Sequence, residues 1–104
     1  MFRRAVRMGV PLAYGTDSGV YPHGDNALQL PYMVRYGMTP MRAVQSATID
    51  AARLMGWEDR VGSIAPGKLA DLVAVDGHDW DRLERLAAVR FVMQGGRVIR
   101  DSGR

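Results

Sequence analysis

The chain has 104 residues, of which 47% are hydrophobic, and a formal net charge of +3. That is enough for one compact domain with a modest core, and it is too apolar for a disordered segment. There is no cysteine, which excludes disulfides, thiolate metal sites and a cysteine nucleophile, and no apolar run reaches the roughly 18 residues that a membrane span requires.

Thirteen of the 14 basic residues are arginine, Lys68 being the only lysine. They run from Arg3 to Arg104, interleaved with acids, and the nearest thing to a cluster is Arg3, Arg4 and Arg7. Nucleic-acid binders gather their cations on one face or in one run. The charge therefore reads as a solvated arginine-rich surface, with neither nucleic acid nor membrane expected as a partner. Met1-Phe2-Arg3-Arg4 leads into no apolar stretch of the signal-peptide kind. The expected compartment is the cytoplasm.

Residues Met1 to Met8 read as the last turns of a helix, with Phe2, Ala5 and Val6 on one face and Gly9 as its stop. Val10 to Tyr14 is short and mostly apolar and reads as a buried strand, with Pro11 near its start. Gly15 to Gly19 follows as a loop. Helix, strand, loop and helix in that order suggest a parallel sheet or barrel, in which polar residues at the C-terminal ends of strands build sites.

Asn26 to Tyr36 is the next helical stretch, with Leu28, Tyr32, Met33 and Tyr36 near one face. Pro31 removes a backbone donor, so a short first turn and a kink are expected before Gly37 ends the segment. Thr39-Pro40 is a helix start, Thr as cap and Pro at the first helical position. Met41, Val44, Ala47 and Thr48 form the expected buried stripe. Asp50 can cap a further helix, Ala51 to Met55, closed by Gly56.

After Trp57 the pattern turns to β. Val61 to Pro66 reads as a loop or short strand, Gly67 as a turn, and Leu69 to Val75 as a buried strand. Asp79 to Leu86 suits a short helix or turn. Val89 to Met93 and Arg97 to Arg100 form a hairpin through Gln94-Gly95-Gly96. The boundary between the halves falls near Trp57 to Gly62. The remaining methionines, Met33, Met38, Met41, Met55 and Met93, read as core filler.

Four ordered blocks now resemble the amidohydrolase superfamily. Gly9-Val10-Pro11-Leu12-Ala13-Tyr14-Gly15-Thr16-Asp17 resembles its last barrel strand with the Asp at the tip. Gly37-Met38-Thr39-Pro40-Met41-Arg42-Ala43, extended by Ala47 to Gly56, resembles the helices that follow. Gly62-Ser63-Ile64-Ala65-Pro66-Gly67-Lys68-Leu69-Ala70-Asp71-Leu72-Val73 looks like the return into a small β-sandwich, and Gln94 to Ile99 like its closing hairpin. Pro22-His23-Gly24 points to the branch of imidazolonepropionase-like proteins and Xaa-Pro dipeptidases.

The resemblance implies an α/β partial fold: residues 1–60 as the last strand and helices of a TIM-type barrel, and 61–104 as β-strands of a sandwich domain. It implies hydrolysis of amide, cyclic amide or dipeptide C–N bonds with a divalent metal, zinc foremost. It implies that Asp17 is both metal ligand and catalytic proton carrier, and that His23 contacts the substrate. The structural alternative for Asp17 is a loop residue that caps a turn through Thr16 or Ser18.

The family's His-x-His, its carboxylated Lys or Glu and its two further His have no counterpart here, where His23 and His78 are the only imidazoles. A barrel of this type takes about 250 residues, so seven of its eight units have none either. The expectation is a truncated product, a fragment, or a chain that completes another polypeptide. As an isolated chain it is expected to be inactive and without metal. Asp17, His23 and Asp25 are too few and too loosely placed for a site of their own. The competing expectation is a non-catalytic chain that self-associates as a homo-oligomer through the exposed edge of Leu12 to Tyr14. Asp71 is expected to be a structural hydrogen-bond acceptor and His78 a surface-turn residue.

Overall fold

A computed structural model of the chain describes residues 1–17, 24–77 and 82–102. Four short helices lead into a three-stranded antiparallel sheet. Helix α1 (Phe2–Arg7) ends as its sequence requires. Gly9 adopts φ 72°, its N–H donates to the Val6 carbonyl at 3.1 Å, and the Val10 N–H reaches back to Ala5 at 3.0 Å. This paired bonding satisfies the carbonyls that a helix end leaves open. The same arrangement closes α2 (Leu30–Arg35) at Gly37 and α4 (Ile49–Met55) at Gly56.

The break expected around Pro31 is present. Residues Asn26–Gln29 form a 3₁₀ turn, and α2 restarts at Leu30 with Pro31 in its first turn, where no backbone donor is lost. Helix α3 (Pro40–Ser46) begins as expected, the Thr39 Oγ1 accepting from the Arg42 N–H at 3.2 Å. Asp50 lies one residue inside α4 and not at its cap, where its carboxylate meets Arg53 at 3.0 Å.

The buried faces differ from those the hydropathy suggests. In α2 the core residue is Leu30, with Met33 and Val34 packed beside it, while Leu28, Tyr32 and Tyr36 are exposed. Arg35 and Arg3 lie over the Tyr32 and Tyr36 rings, at 5.4 and 5.3 Å. In α3 the buried positions are Ala43 and Ser46, whereas Met41, Ala47 and Thr48 face out. Short helices crossing closely select small residues at the contact. The Ser46 hydroxyl is satisfied within its own helix, donating to the Ala43 carbonyl at 2.6 Å. Of the five methionines expected as filler, only Met38 is buried outright, and Met41 and Met55 are exposed.

Val10 to Tyr14 is extended but pairs with no strand among the described residues. Leu12 and Tyr14 pack towards the helical core while Val10, Pro11 and Ala13 point out, the alternation of an extended chain with one covered face. The Tyr14 N–H donates to the Ser46 carbonyl at 2.8 Å. A ladder needs a neighbouring strand, and the neighbour here is a helix end.

Strands β1 (Leu72–Val75), β2 (Val89–Gln94) and β3 (Arg97–Asp101) form the sheet in that order. Leu72 lies opposite Met93, and Phe91 opposite Asp101, with a register shift in each pairing. The β2–β3 turn puts Gly95 and Gly96 at φ 59° and 83°, the two positive values that a two-residue hairpin of matching twist requires. A second 3₁₀ turn, Leu83–Ala87, leads into β2 and sends Leu83 into the core beside Leu30, Met38 and Ala43. Segments on both sides of Trp57 thus share one apolar cluster.

Candidate functional site

Asp17 follows the extended segment that α1 and α3 position. Tyr14 anchors that segment twice, through its N–H on Ser46 and through its hydroxyl, which donates to the Asn26 carbonyl. Asn26 in turn accepts from the Gly24 N–H at 3.3 Å through Oδ1. The stem that carries Asp17 and the 3₁₀ turn that resumes after the loop are therefore tied together. Nothing in the sequence marks Asn26 for this task, because the contact spans 12 positions.

Asp17 itself is exposed and has φ 51°, and it is the one non-glycine residue with positive φ among the described residues. Aspartate and asparagine tolerate this conformation better than other side chains, and residues held there concentrate at functional sites. Asp25 is exposed at the start of the Asn26–Gln29 turn, where its carbonyl accepts from Leu28 at 3.0 Å. His23 and His78 lie outside the described residues.

Among the described residues no three His, Cys, Asp or Glu side chains gather in a set that could hold a metal ion. A catalytic zinc takes about three protein ligands. The described residues do not fit a metal by themselves; Asp17 is a single donor.

Asp71 has the structural role expected of it. Its Oδ1 accepts the Gly95 N–H at 2.7 Å, and the neighbouring Ala70 carbonyl accepts from Gly96 at 3.0 Å. The turn of the hairpin is thereby bound to the chain entering β1. Glu58 drew no notice in the sequence, yet its Oε2 is shielded from solvent with no hydrogen-bond partner among the described residues.

A further feature is an apolar groove between the α3–α4 side and β1. Met55, Trp57, Ile64, Leu69 and Val73 line it, and all five are exposed.

A family model described as the amidohydrolase family matches residues 1–100. The imidazolonepropionase of Geobacillus kaustophilus is 34% identical over 110 residues, covering 98% of this chain and 26% of that protein. The ochratoxinase of Aspergillus niger is 32% identical, over 98% of this chain and 22% of its own length. Among solved structures, a Xaa-Pro dipeptidase with methionine bound in its active site superposes with a TM-score of 0.85 at 44% identity, over 95% of this chain and 24% of that one. The chain spans about a quarter of the length of the relatives it matches.

Proposed function

The chain belongs to the amidohydrolase family, and from that premise we propose that it supplies the last barrel strand, the following helices and the sandwich strands of a metal-dependent enzyme that hydrolyses carbon–nitrogen bonds. The substrate class is a small amide, a cyclic amide or a dipeptide. The names of its relatives, an imidazolonepropionase, an ochratoxinase and a Xaa-Pro dipeptidase, support that range. The chain alone is inactive on this reading, because its described residues bring one donor to a site that takes about three.

The observation that carries the reading is Asp17, an exposed carboxylate in a left-handed backbone position on a stem anchored through the backbone N–H and the hydroxyl of Tyr14. Asp17 would be the ligand this chain brings to a divalent metal, zinc foremost, which would acidify the attacking water when bound. Its carboxylate takes a proton from the attacking water and returns it to the departing nitrogen, as a general base and then a general acid. His23, six positions further on, contacts the substrate.

The test is a chimera in which this chain replaces the matching quarter of the G. kaustophilus imidazolonepropionase, assayed on that enzyme's own substrate. Asp17→Asn is the informative change, since asparagine keeps the shape and tolerates the same backbone conformation. The expected result is a kcat lower by about 10²–10⁴-fold with circular dichroism unchanged. Full activity in the variant would refute the role.

A further inference from the structure

Asp17 stands a short step beyond Tyr14, with only Gly15 and Thr16 between them. Glycine restrains the backbone least of all residues, so the local chain does little to direct the Asp17 carboxylate. Yet Asp17 is held at φ 51°, a conformation that persists in a non-glycine residue only where the surrounding structure imposes it. The restraint has to come from tertiary contacts of the stem.

Tyr14 is where the stem meets the rest of the fold. It is half-buried against the helical core. Its N–H uses the Ser46 carbonyl at 2.8 Å, one of those that α3 leaves open at its C-terminal end, and Ser46 is itself buried. Its hydroxyl donates across the loop to the Asn26 carbonyl. Asn26 is no loose partner, because it opens the 3₁₀ turn whose Ala27 packs on the core and which runs into the buried Leu30. The Asn26 side chain also takes the Gly24 N–H at 3.3 Å, where the chain has φ 103°. Asp17 and Gly24 therefore both lie within a few residues of the one bond that joins Tyr14 to Asn26.

Packing alone does not call for a hydroxyl at this position. Phenylalanine would fill the same space and keep the backbone bond to Ser46; what tyrosine adds is the bond across the loop. We propose that Tyr14 is a positioning residue, whose hydroxyl fastens the Asp17 stem to Asn26 and so fixes the direction of the Asp17 carboxylate. The proposal deepens the reading of Asp17 as the proton carrier and rests on it. Proton transfer needs the base within hydrogen-bond reach of the water, and a displacement of about 1 Å can cost as much as a hundredfold in rate. The hydroxyl touches no reacting atom in this role; it acts through the backbone of Asp17.

The imidazolonepropionase chimera tests it, carrying Tyr14→Phe, Asp17→Asn or both. Tyr14→Phe is expected to lower kcat about tenfold at unchanged KM. In the Asp17→Asn background the same change is expected to cost nothing further, because a hydroxyl that acts through the Asp17 carboxylate has nothing left to position. Thr39→Ala, which removes a side-chain hydrogen bond at the α3 cap, should leave kcat as it is; a drop equal to that of Tyr14→Phe would trace both losses to stability and overturn the proposal. An unaltered kcat in Tyr14→Phe overturns it too, as does a loss that persists undiminished beside Asp17→Asn. In those cases the low activity of Asp17→Asn alone would keep the catalytic reading intact, whereas full activity of Asp17→Asn would bring down that reading and this proposal together. Hydrogen exchange reads the bond itself on the isolated chain. Residues 15–25 should exchange about tenfold faster in Tyr14→Phe while α4 is unchanged, and equal exchange in the two proteins would mean that the hydroxyl holds nothing.

Discussion

Gly62 is the position where a single methyl group should cost most. It has φ +98°, and a Cβ built there would lie 2.7 Å from the Ala52 Cβ, 3.1 Å from the Ile49 Cα and 3.2 Å from the Thr48 carbonyl oxygen. Two of those three atoms are backbone of α4 and its cap, and Ala52 is buried, so none can swing away. Overpacking of this kind costs about 1–3 kcal/mol, and holding an L-residue in the left-handed region costs about 1–2 kcal/mol more. Gly67 provides the control: it has φ +89°, but nothing lies within 4 Å of its Cβ position, so Gly67→Ala pays only the backbone cost. The expected difference between Gly62→Ala and Gly67→Ala is about 2 kcal/mol, a large part of the roughly 5–15 kcal/mol that holds a domain folded. With a urea slope of about 1 kcal/mol per M, the two midpoints separate by about 2 M. Protein concentration must be matched, because association would shift both. Equal midpoints would refute the claim that the loop after Trp57 is pressed against α4.

Two further outcomes follow from single hydrogen bonds. Asp71→Ala leaves the Gly95 N–H without its 2.7 Å acceptor and should lower stability by about 1 kcal/mol, while Asp71→Asn, which keeps an acceptor oxygen, should lose less; urea titration distinguishes them, and equal losses would mean that the bond is not what matters. Thr39→Ala removes the cap whose Oγ1 accepts from the Arg42 N–H at 3.2 Å and should cost about 1 kcal/mol, with Thr39→Ser close to neutral; thermal unfolding followed by circular dichroism reads both.

What was legible in the sequence is what short-range bonding determines. The stops at Gly9, Gly37 and Gly56, the cap at Thr39, the break at Pro31 and the Gly95-Gly96 turn each depend on partners a few residues away. The residues named for them are the ones that perform them. The family was legible for a different reason: the ordered blocks that resemble it, the one ending in Asp17 among them, belong to a chain that its model matches over residues 1–100. The tie from Tyr14 to Asn26 was not legible, nor was the shielded Glu58 oxygen, because both arise from chain segments brought together only by the fold.

Burial is where reading and structure part most. Hydropathy places Met41 and Met55 in a core and makes Val10 to Tyr14 a strand, yet both methionines are exposed and the strand pairs with nothing among the described residues. The core of the described chain rests instead on Leu30, Met38, Ala43 and Leu83, of which Met38 sits between the Gly37 stop of α2 and the Thr39 cap of α3. A side chain's hydropathy records the environment it occupies once every surface has met its partner. Structure of one copy records only the contacts that copy can make by itself. The two agree at Leu30 and Met38, which the chain covers from within. They disagree at Met55, Trp57, Ile64 and Val73, which form one continuous groove and not a scatter. Isolated exposed apolar residues are ordinary. A contiguous set of them beside an uncharged strand edge is a surface whose covering layer lies outside the described residues.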